Sequence, residues 1–267
     1  MSYPIHSRTR ESPSRSLCQF AARRGRCALT VMAKAPRAGQ VKTRLSPPLT
    51  PAEAASLNIC FLQDTAENIA AVADSGVRCA TGLIAYTPAG DASAFDGMLP
   101  SAFALLPQRG DSFGERLLFA AQDILALGFA SVCLIDSDSP TLPRAALQQA
   151  VRELSRPGDR LVLGPADDGG YYLIGIKHPH AQLFEGIAWS TAAVFKQTCQ
   201  RARAARLEVV ELPRWYDVDD AAGLALLESE LLDGIRPAFA RFNGYAAPHT
   251  RGFLAAREST AASEAPP

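Results

Sequence analysis

Apolar positions along the chain fall into two patterns, short uninterrupted runs and longer stretches with a helical period. The short runs predict β-strands at 28–33, 77–86, 103–106, 130–135, 160–163, 171–176 and 207–212. The helical stretches predict α-helices at about 51–72, 112–125, 143–154 and 221–232, and another that opens at 189–191. Strands that alternate with helices predict a single α/β domain, with a doubly wound, mainly parallel sheet and helices on both faces.

The two ends of the chain lack these patterns. Residues 1–27 hold several arginines, many serines and a single acid, which predicts a disordered basic extension; an organellar transit peptide is the alternative. Residues 256–267 are predicted to be a disordered tail. The predicted domain therefore covers residues 28–255.

The apolar run at 130–135 ends in two carboxylates, Asp136 and Asp138. Open α/β sheets bind ligands at the carboxyl ends of such strands. Magnesium prefers oxygen ligands and usually takes only one or two protein carboxylates while it also holds phosphates. The pair therefore predicts a site for Mg²⁺ or Mn²⁺, and the alternative is that Asp138 or Ser139 caps the next helix.

A basic loop follows the first predicted strand. It contains Lys34, Gly39, Lys42 and Arg44, and no acid lies between residues 34 and 45. Cations and backbone amides on a flexible loop can bind a phosphate together, so the loop predicts a phosphate site. An exposed basic turn is the alternative.

Two later strand ends carry acids. Asp167 and Asp168 precede Gly169 and Gly170, a tight turn that would let a nucleotide phosphate approach the backbone; a plain hairpin is the alternative. Asp219 belongs to a second Asp-x-Asp segment, which either completes the metal site or caps the helix that follows.

Other segments between strands and helices hold candidate substrate contacts. Asp111 lies in a turn just before Ser112, which forms a capping box with Glu115, and Arg116 follows. A structural role for this segment is the alternative. Further candidates open the next helix at Trp189, Ser190 and Thr191.

Composition narrows the classes of function. Lys and Arg total 27 and Asp and Glu total 27, and this zero net charge argues against a nucleic-acid binder driven by bulk electrostatics. No apolar stretch is long enough to predict a membrane span. The cysteines form no Cys-x-x-Cys motif, which favours free thiols in a reducing cytoplasm. No motif contains a histidine, which argues against hydrolase triads and zinc hydrolases.

Six motifs in order together resemble one bacterial family. They are Lys34-Ala-Pro-x-x-Gly-x-Val-Lys-Thr-Arg-Leu, Gly114-Glu-Arg-Leu, Asp136-Ser-Asp-Ser-Pro-x-Leu, Gly164-Pro-Ala-Asp-Asp-Gly-Gly-Tyr-Tyr-Leu-Ile-Gly, Trp189-Ser-Thr and Asp217-Val-Asp. The chain is similar over residues 28–230 to a glycosyltransferase-like family of the GT-A, nucleotide-diphospho-sugar transferase superfamily. That family is related to phospholactate guanylyltransferase, and some members are labelled arsenosugar-biosynthesis glycosyltransferases.

The resemblance implies a GT-A fold and a metal that bridges nucleotide phosphates. By resemblance Asp138 holds this metal, with Asp219 as a second ligand. Asp136 departs from the family, where a glycine is expected, and it either extends the ligand set or crowds the site.

The resemblance implies a glycosyltransferase that moves a sugar from a nucleotide-diphospho-sugar to a small acceptor. In that reaction Lys34, Lys42 and Arg44 would stabilise charge on phosphate, and Asp168 or Asp167 would act as a base or hold sugar hydroxyls. Nucleotidyl transfer from a nucleoside triphosphate to a phosphorylated small molecule is the alternative, and a non-catalytic nucleotide-binding module is the second. The glycine spacing around Lys42 excludes a P-loop kinase.

Overall fold

A seven-stranded sheet runs through the computed structural model, which describes residues 25–74 and 80–264. The strands are β1 (Cys27–Lys34), β2 (Ala80–Thr87), β3 (Ala104–Pro107), β4 (Ser131–Ile135), β5 (Arg160–Pro165), β6 (Tyr171–Ile176) and β7 (Glu208–Glu211). Their spatial order is β3-β2-β1-β4-β6-β5-β7, and only β6 runs antiparallel to its neighbours. The predicted α/β class and mainly parallel sheet are confirmed.

Six α-helices are described around this sheet. They are α1 (Pro51–Asp74), α2 (Phe113–Ala126), α3 (Arg144–Ser155), α4 (Val194–Ala204), α5 (Ala221–Leu231) and α6 (Pro248–Glu264). Short 3-10 helices lie at Thr43–Leu45, Ala92–Phe95 and Ala181–Leu183. No helix among the described residues combines the length and the apolar character needed to cross a membrane.

The core lies on both faces of the sheet because successive residues of a strand point to opposite sides. Leu29 and Val31 of β1 pack in a cluster with residues of α1, α3, α5 and α6. Ala28, on the other face of β1, belongs to a cluster with residues of α2 and α4. Central strands buried on both faces appear in the sequence as continuous apolar runs, which explains why those runs predict them.

Local capping fixes where two helices begin. Thr50 and Glu53 exchange hydrogen bonds at the start of α1. Ser112 and Glu115 do the same at α2, where the sequence predicts a capping box. The helix predicted to open at 189–191 begins later, at Val194. The reason lies at Ser190, whose φ of 62° is left-handed and incompatible with a right-handed helix.

The predicted tail is wrong over residues 256–264, because α6 continues to Glu264. Residues 265–267 of that tail lie outside the described residues. Both carboxylate oxygens of Asp64 in α1 accept backbone N–H bonds from the first turn of α6, at His249 and Thr250. Leu254 is buried, and Arg257 lies between Glu53 of α1 and Glu228 of α5. These tertiary contacts stabilise α6, whose sequence has no apolar helical period that would predict a helix.

Some predictions lie outside the described residues. The basic extension falls almost entirely on residues 1–24, and the start of the strand predicted at 77–86 falls on 75–79. Among the described cysteines, Cys27, Cys60, Cys133 and Cys199 are free thiols.

Candidate functional site

Four connecting segments meet at the edge where β1, β4 and β5 end. The backbone N–H of Val218 donates to the carbonyl of Asp138 at 2.9 Å, and the hydroxyl of Ser139 donates to the carbonyl of Tyr216 at 2.9 Å. Ala166 forms an isolated bridge with Trp215. These bonds hold the two Asp-x-Asp segments side by side, although about eighty residues separate them along the chain.

Lys42 lies between the two predicted metal ligands. Its Nζ is 2.7 Å from Asp138 Oδ1 and 3.1 Å from Asp219 Oδ1, and it donates to the Val218 carbonyl at 2.7 Å. The Lys42 side chain is only 5% exposed. Burial alone would lower the pKa of Lys42, but attraction to Asp138 and Asp219 outweighs it and raises the pKa above its ordinary value. Lys42 therefore forms an ion pair with both carboxylates, and its contact with phosphate stays a prediction.

The donor set of Asp138 and Asp219 suits a divalent metal. One cation, the Lys42 ammonium, already contacts an oxygen from each carboxylate, so the two groups are placed to share a positive charge. Mg²⁺ and Mn²⁺ accept carboxylate oxygens of this kind. The residues therefore fit the metal that the resemblance implies.

Asp136, the third predicted metal ligand, is used differently. Its carboxylate accepts the backbone N–H of Asp138 and the hydroxyl of Ser139 at 3.2 and 3.0 Å. Burial, reinforced by the charges of Asp138 and Asp217, raises the pKa of Asp136 well above its ordinary value. It orders the loop after β4, and it does not pair with Lys42 as Asp138 does. Neither Asp138 nor Ser139 caps α3, whose N-cap is Pro143.

The basic loop lines a pocket of about 240 Å³ together with Asp138 and Asp219. Lys34 folds over it by donating to the Gln40 carbonyl at 2.9 Å, and Arg44 pairs with Asp219 while its side chain stays 69% exposed. Gly39 gives the loop its left-handed turn at φ 71° but does not line the pocket. Sequence reasoning missed Asn58, a buried α1 residue on the pocket wall whose Oδ1 has no hydrogen-bond partner among the described residues.

A second pocket of about 220 Å³ adjoins the first at Asp138 and Asp219. Its aromatic wall contains Trp189, which makes edge contacts with Phe113 at 5.1 Å and Tyr171 at 6.4 Å between ring centroids. A Cβ at Gly114 would lie 2.9 Å from Trp189 Nε1, so the glycine permits this packing. Further lining residues include Asp136, Asp168, Gly170, Ser190, Thr191 and Asp217.

The turn between β5 and β6 is a hairpin, and its glycines do not meet the basic loop. Gly169 has φ 91°, and a Cβ there would lie 2.5 Å from the Ala192 carbonyl oxygen. The backbone of Ala192 lies close to Gly169, whereas Gly170 lines the aromatic pocket, and the phosphate role of both glycines stays a prediction. Asp168 Oδ1 accepts the Gly170 N–H at 2.7 Å, which fixes its carboxylate beside that pocket.

A third pocket of about 350 Å³ extends the site past Asp168 and Asp219. Asp217, which sequence reasoning passed over, lines the second and third pockets. Burial, with the charges of Asp168, Asp219 and Asp138, raises its pKa to about 7. The Asp-x-Asp spacing around Val218 was the sequence signal that could have identified Asp217.

Asp220 caps α5 by accepting the Ala222 and Gly223 N–H groups, which leaves Asp219 free to pair with Lys42 and Arg44.

Of the remaining predicted substrate contacts, one lines a pocket and two do not. Asp167 lines the third pocket, with its pKa raised chiefly by burial. Asp111 and Arg116 line none of these three pockets. The Arg116 guanidinium bonds the Asp111 carbonyl and lies 5.7 Å from the Phe113 ring centroid, so this pair borders the aromatic wall from outside.

Comparison with known proteins agrees with this architecture. The family described as "Uncharacterized protein conserved in bacteria (DUF2064)" matches residues 70–191. The crystal structure of a candidate nucleotide-diphospho-sugar transferase from Desulfovibrio desulfuricans G20 is 32% identical over 87% of this chain and 98% of that one, with a TM-score of 0.71. This chain belongs to the DUF2064 family.

More distant structures are also similar to this DUF2064 chain. A CMP:2-keto-3-deoxy-manno-octonic acid synthetase complexed with CTP is 11% identical over 79% of this chain and 100% of its own, with a TM-score of 0.49. A cytidylyltransferase from Leptospira borgpetersenii is 10% identical over 89% of this chain and 96% of its own, with a TM-score of 0.47. No protein of curated function matches. The predicted superfamily and its transferase class are borne out, and the roles of individual residues stay predictions.

Proposed function

We propose that this DUF2064 protein is a metal-dependent glycosyltransferase that moves a sugar from a nucleotide-diphospho-sugar to a small acceptor. The observation that carries the proposal is the junction of a cationic pocket and an aromatic pocket at Asp138 and Asp219. Transfer to a neutral acceptor needs such a pair of surroundings, one for the charged diphosphate of the donor and one for the acceptor. The Desulfovibrio relative supports the same class of donor.

The cationic pocket suits the diphosphate. Lys34 and Arg44 lie on its wall, and charge-assisted hydrogen bonds from such groups are the strong ones. Asp138 and Asp219 would hold Mg²⁺ or Mn²⁺. When bound, this metal supplies Lewis-acid stabilisation of the leaving diphosphate.

The aromatic pocket suits the acceptor. Phe113, Tyr171 and Trp189 offer apolar surface, while Ser190 and Thr191 offer hydroxyls for orientation. Asp168 is the proposed base: with one oxygen fixed by Gly170, its other oxygen would take the proton of an acceptor hydroxyl. The acceptor oxygen would then attack the anomeric carbon, and the nucleoside diphosphate would leave toward Lys34 and Arg44.

One observation favours glycosyl over nucleotidyl transfer. Among the described residues that line the aromatic pocket, none is Lys, Arg or His, whereas several are Asp. A phosphorylated acceptor would find no cationic side chain on that wall to bind its phosphate. Nucleotidyl transfer to a phosphorylated acceptor therefore fits this pocket less well than glycosyl transfer to a neutral acceptor.

The described cysteines are free thiols, which supports the proposed location in the cytoplasm.

The test is a thermal-shift screen of nucleotide-sugars and nucleoside triphosphates, with and without Mg²⁺, because a specific ligand raises the melting temperature by mass action. The leading ligand is then turned over with small acceptors. Glycosyl transfer releases a nucleoside diphosphate, whereas nucleotidyl transfer releases pyrophosphate. Asp138→Ala should remove turnover while circular dichroism stays unchanged; normal turnover in this variant, or pyrophosphate as the product, would overturn the proposal.

A further inference from the structure

The Lys42 ammonium is fully satisfied inside the protein. An ammonium has three N–H donors, and here three oxygens accept them, from Asp138, Asp219 and the Val218 carbonyl. The Phe61 ring centroid lies 5.4 Å from Nζ on another side. Lys42 is therefore held in a built site, in contrast to Lys34 and Arg44 of the same loop, whose side chains reach solvent.

The carboxylates that hold Lys42 are also the proposed metal donors. Asp138 Oδ1 and Asp219 Oδ1 cannot direct the same lone pairs to the ammonium and to a metal, and a divalent ion beside Nζ would meet like charge. A metal can enter this position only if Lys42 leaves it. Leaving costs the ammonium its three acceptors, and a buried charge without partners is unfavourable.

A nucleotide phosphate would offer Lys42 new acceptors. Lys42 lines the cationic pocket together with Lys34 and Arg44, so rotation of its flexible stem would let the ammonium exchange carboxylate for phosphate. Its backbone, at φ 49°, belongs to the loop that forms the pocket wall.

We propose that Lys42 is an internal counterion for the metal site, released only when nucleotide phosphate arrives, so that metal and nucleotide bind cooperatively. The inference rests on the proposed use of nucleotide and metal at this site, but not on which group is transferred. Coupling of this kind is reciprocal, and typical values change affinity about 5- to 150-fold.

The test uses Mn²⁺ alone, followed by electron paramagnetic resonance, with no nucleotide present. Lys42→Met removes the ammonium and keeps the length of the stem, and we expect it to bind Mn²⁺ at least about tenfold more tightly than the wild type. Lys34→Met is the matched control. It removes the same charge from the same pocket, but Lys34 bonds Gln40 and not the carboxylates, so its Mn²⁺ affinity should stay near that of the wild type.

Two additional variants keep the result interpretable. Asp138→Asn combined with Lys42→Met should lose the gain, which assigns the bound Mn²⁺ to this position. Lys42→Gln replaces Lys42→Met if thermal melting shows that the latter does not fold. Equal Mn²⁺ affinity in the wild type and in the folded Lys42 variant would overturn the inference, and so would failure of that variant to bind Mn²⁺.

A second arm adds nucleoside diphosphates of different bases to the wild type. Mn²⁺ affinity should rise with the one that binds, and it should rise less in Lys42→Met. These readouts need no turnover, so they can succeed even if the product assay overturns glycosyl transfer. Conversely, nucleoside diphosphate release with unchanged Mn²⁺ affinity in the Lys42 variant would overturn only the counterion role.

Discussion

Arg44 is an exposed cation of the basic loop that lies on the wall of the cationic pocket and pairs with a proposed metal ligand. Its partner Asp219 is itself 35% exposed, so the pair contributes little to stability and can exchange partners. A charge-assisted hydrogen bond to phosphate contributes about 1.5–3 kcal/mol. Arg44 should therefore affect nucleotide affinity far more than folding.

The prediction is that Arg44→Ala weakens nucleotide binding by about ten- to a hundredfold in titration calorimetry. Arg44→Lys should restore only part of this loss, because lysine lacks the bidentate fork. Arg37→Ala is the control: Arg37 lies in the same loop but pairs with Asp91 at 2.7 Å, outside the pocket lining. Unaltered affinity in Arg44→Ala would mean that the loop is only a turn.

Asp217 should make stability depend on pH. Because its pKa is about 7 in the folded chain, the folded state binds a proton more tightly than the unfolded state does. Stability from this proton is present at low pH and is lost as pH rises from about 4 to 7.

We predict that Asp217→Asn, compared with the wild type in metal-free buffer, gains melting temperature as pH increases over that window. Asp233→Asn, an exposed acid of ordinary surroundings, serves as the control. A constant difference between Asp217→Asn and the wild type at every pH would rule out the raised pKa.

Residue types at the site could be predicted, but their partners could not. A strand followed by acids, and a loop rich in cations, each point to a ligand edge without any structure. The pairing of Lys42 with Asp138 and Asp219 depends on how loops distant in sequence fold against each other, and on a left-handed backbone at a lysine. The spacing of residues along the chain predicts neither the packing of these loops nor the backbone conformation of Lys42.

At the scale of elements, one buried carboxylate joins α1 to α6. Asp64 is fully buried and accepts two backbone N–H groups from the first turn of α6. Removing it leaves those donors unsatisfied, which costs about 1–3 kcal/mol.

Asp64→Ala is thus predicted to lower the free energy of unfolding by about that amount in urea denaturation. Asp64→Asn, which keeps one acceptor oxygen, should lose less. Asp233→Ala should leave the unfolding free energy nearly unchanged. A neutral Asp64→Ala would show that the other contacts of α6, such as Leu254 and the Arg257–Glu53 pair, are enough to dock it.

Elements differ in how far the sequence reveals them. Strand β6 is predicted with its observed ends because buried strands carry continuous apolar runs. Helix α6 is missed because its sequence is polar beyond Leu254, and tertiary contacts through Asp64 and Arg257 decide its state. Helix α4 begins later than predicted because Ser190 adopts a positive φ.

At the scale of the molecule, both pockets lie beside strands of one sheet. The cationic pocket follows β1 and the aromatic pocket borders β4 and β6, which are neighbours in that sheet. Helix α6 then returns the chain to α1.

Calorimetry should accordingly show a single unfolding transition that moves as a whole to higher temperature when metal and nucleotide are added together. Metal alone should move it less. A second transition that ligand leaves in place would indicate a domain that the site does not belong to.

The class of the fold could be predicted from alternating strands and helices, but its strand order could not. Apolar runs give the existence of β5 and β6 without their direction, and a hairpin was only one interpretation of the turn between them. Because β4 and β5 are both antiparallel to β6, they run in the same direction, and the Asp168 turn after β5 lies at the edge where β1 and β4 end. Direction follows from packing across the whole sheet.

The aromatic wall also has an optical consequence, because the chain contains only two tryptophans. Trp189 lines the pocket and is partly exposed, whereas Trp215 is 1% exposed in the core. Emission from Trp189 should report the arrival of an acceptor, and emission from Trp215 should report unfolding. In a Trp189→Phe protein the remaining signal would follow folding alone, so two fluorophores separate two processes without any added label.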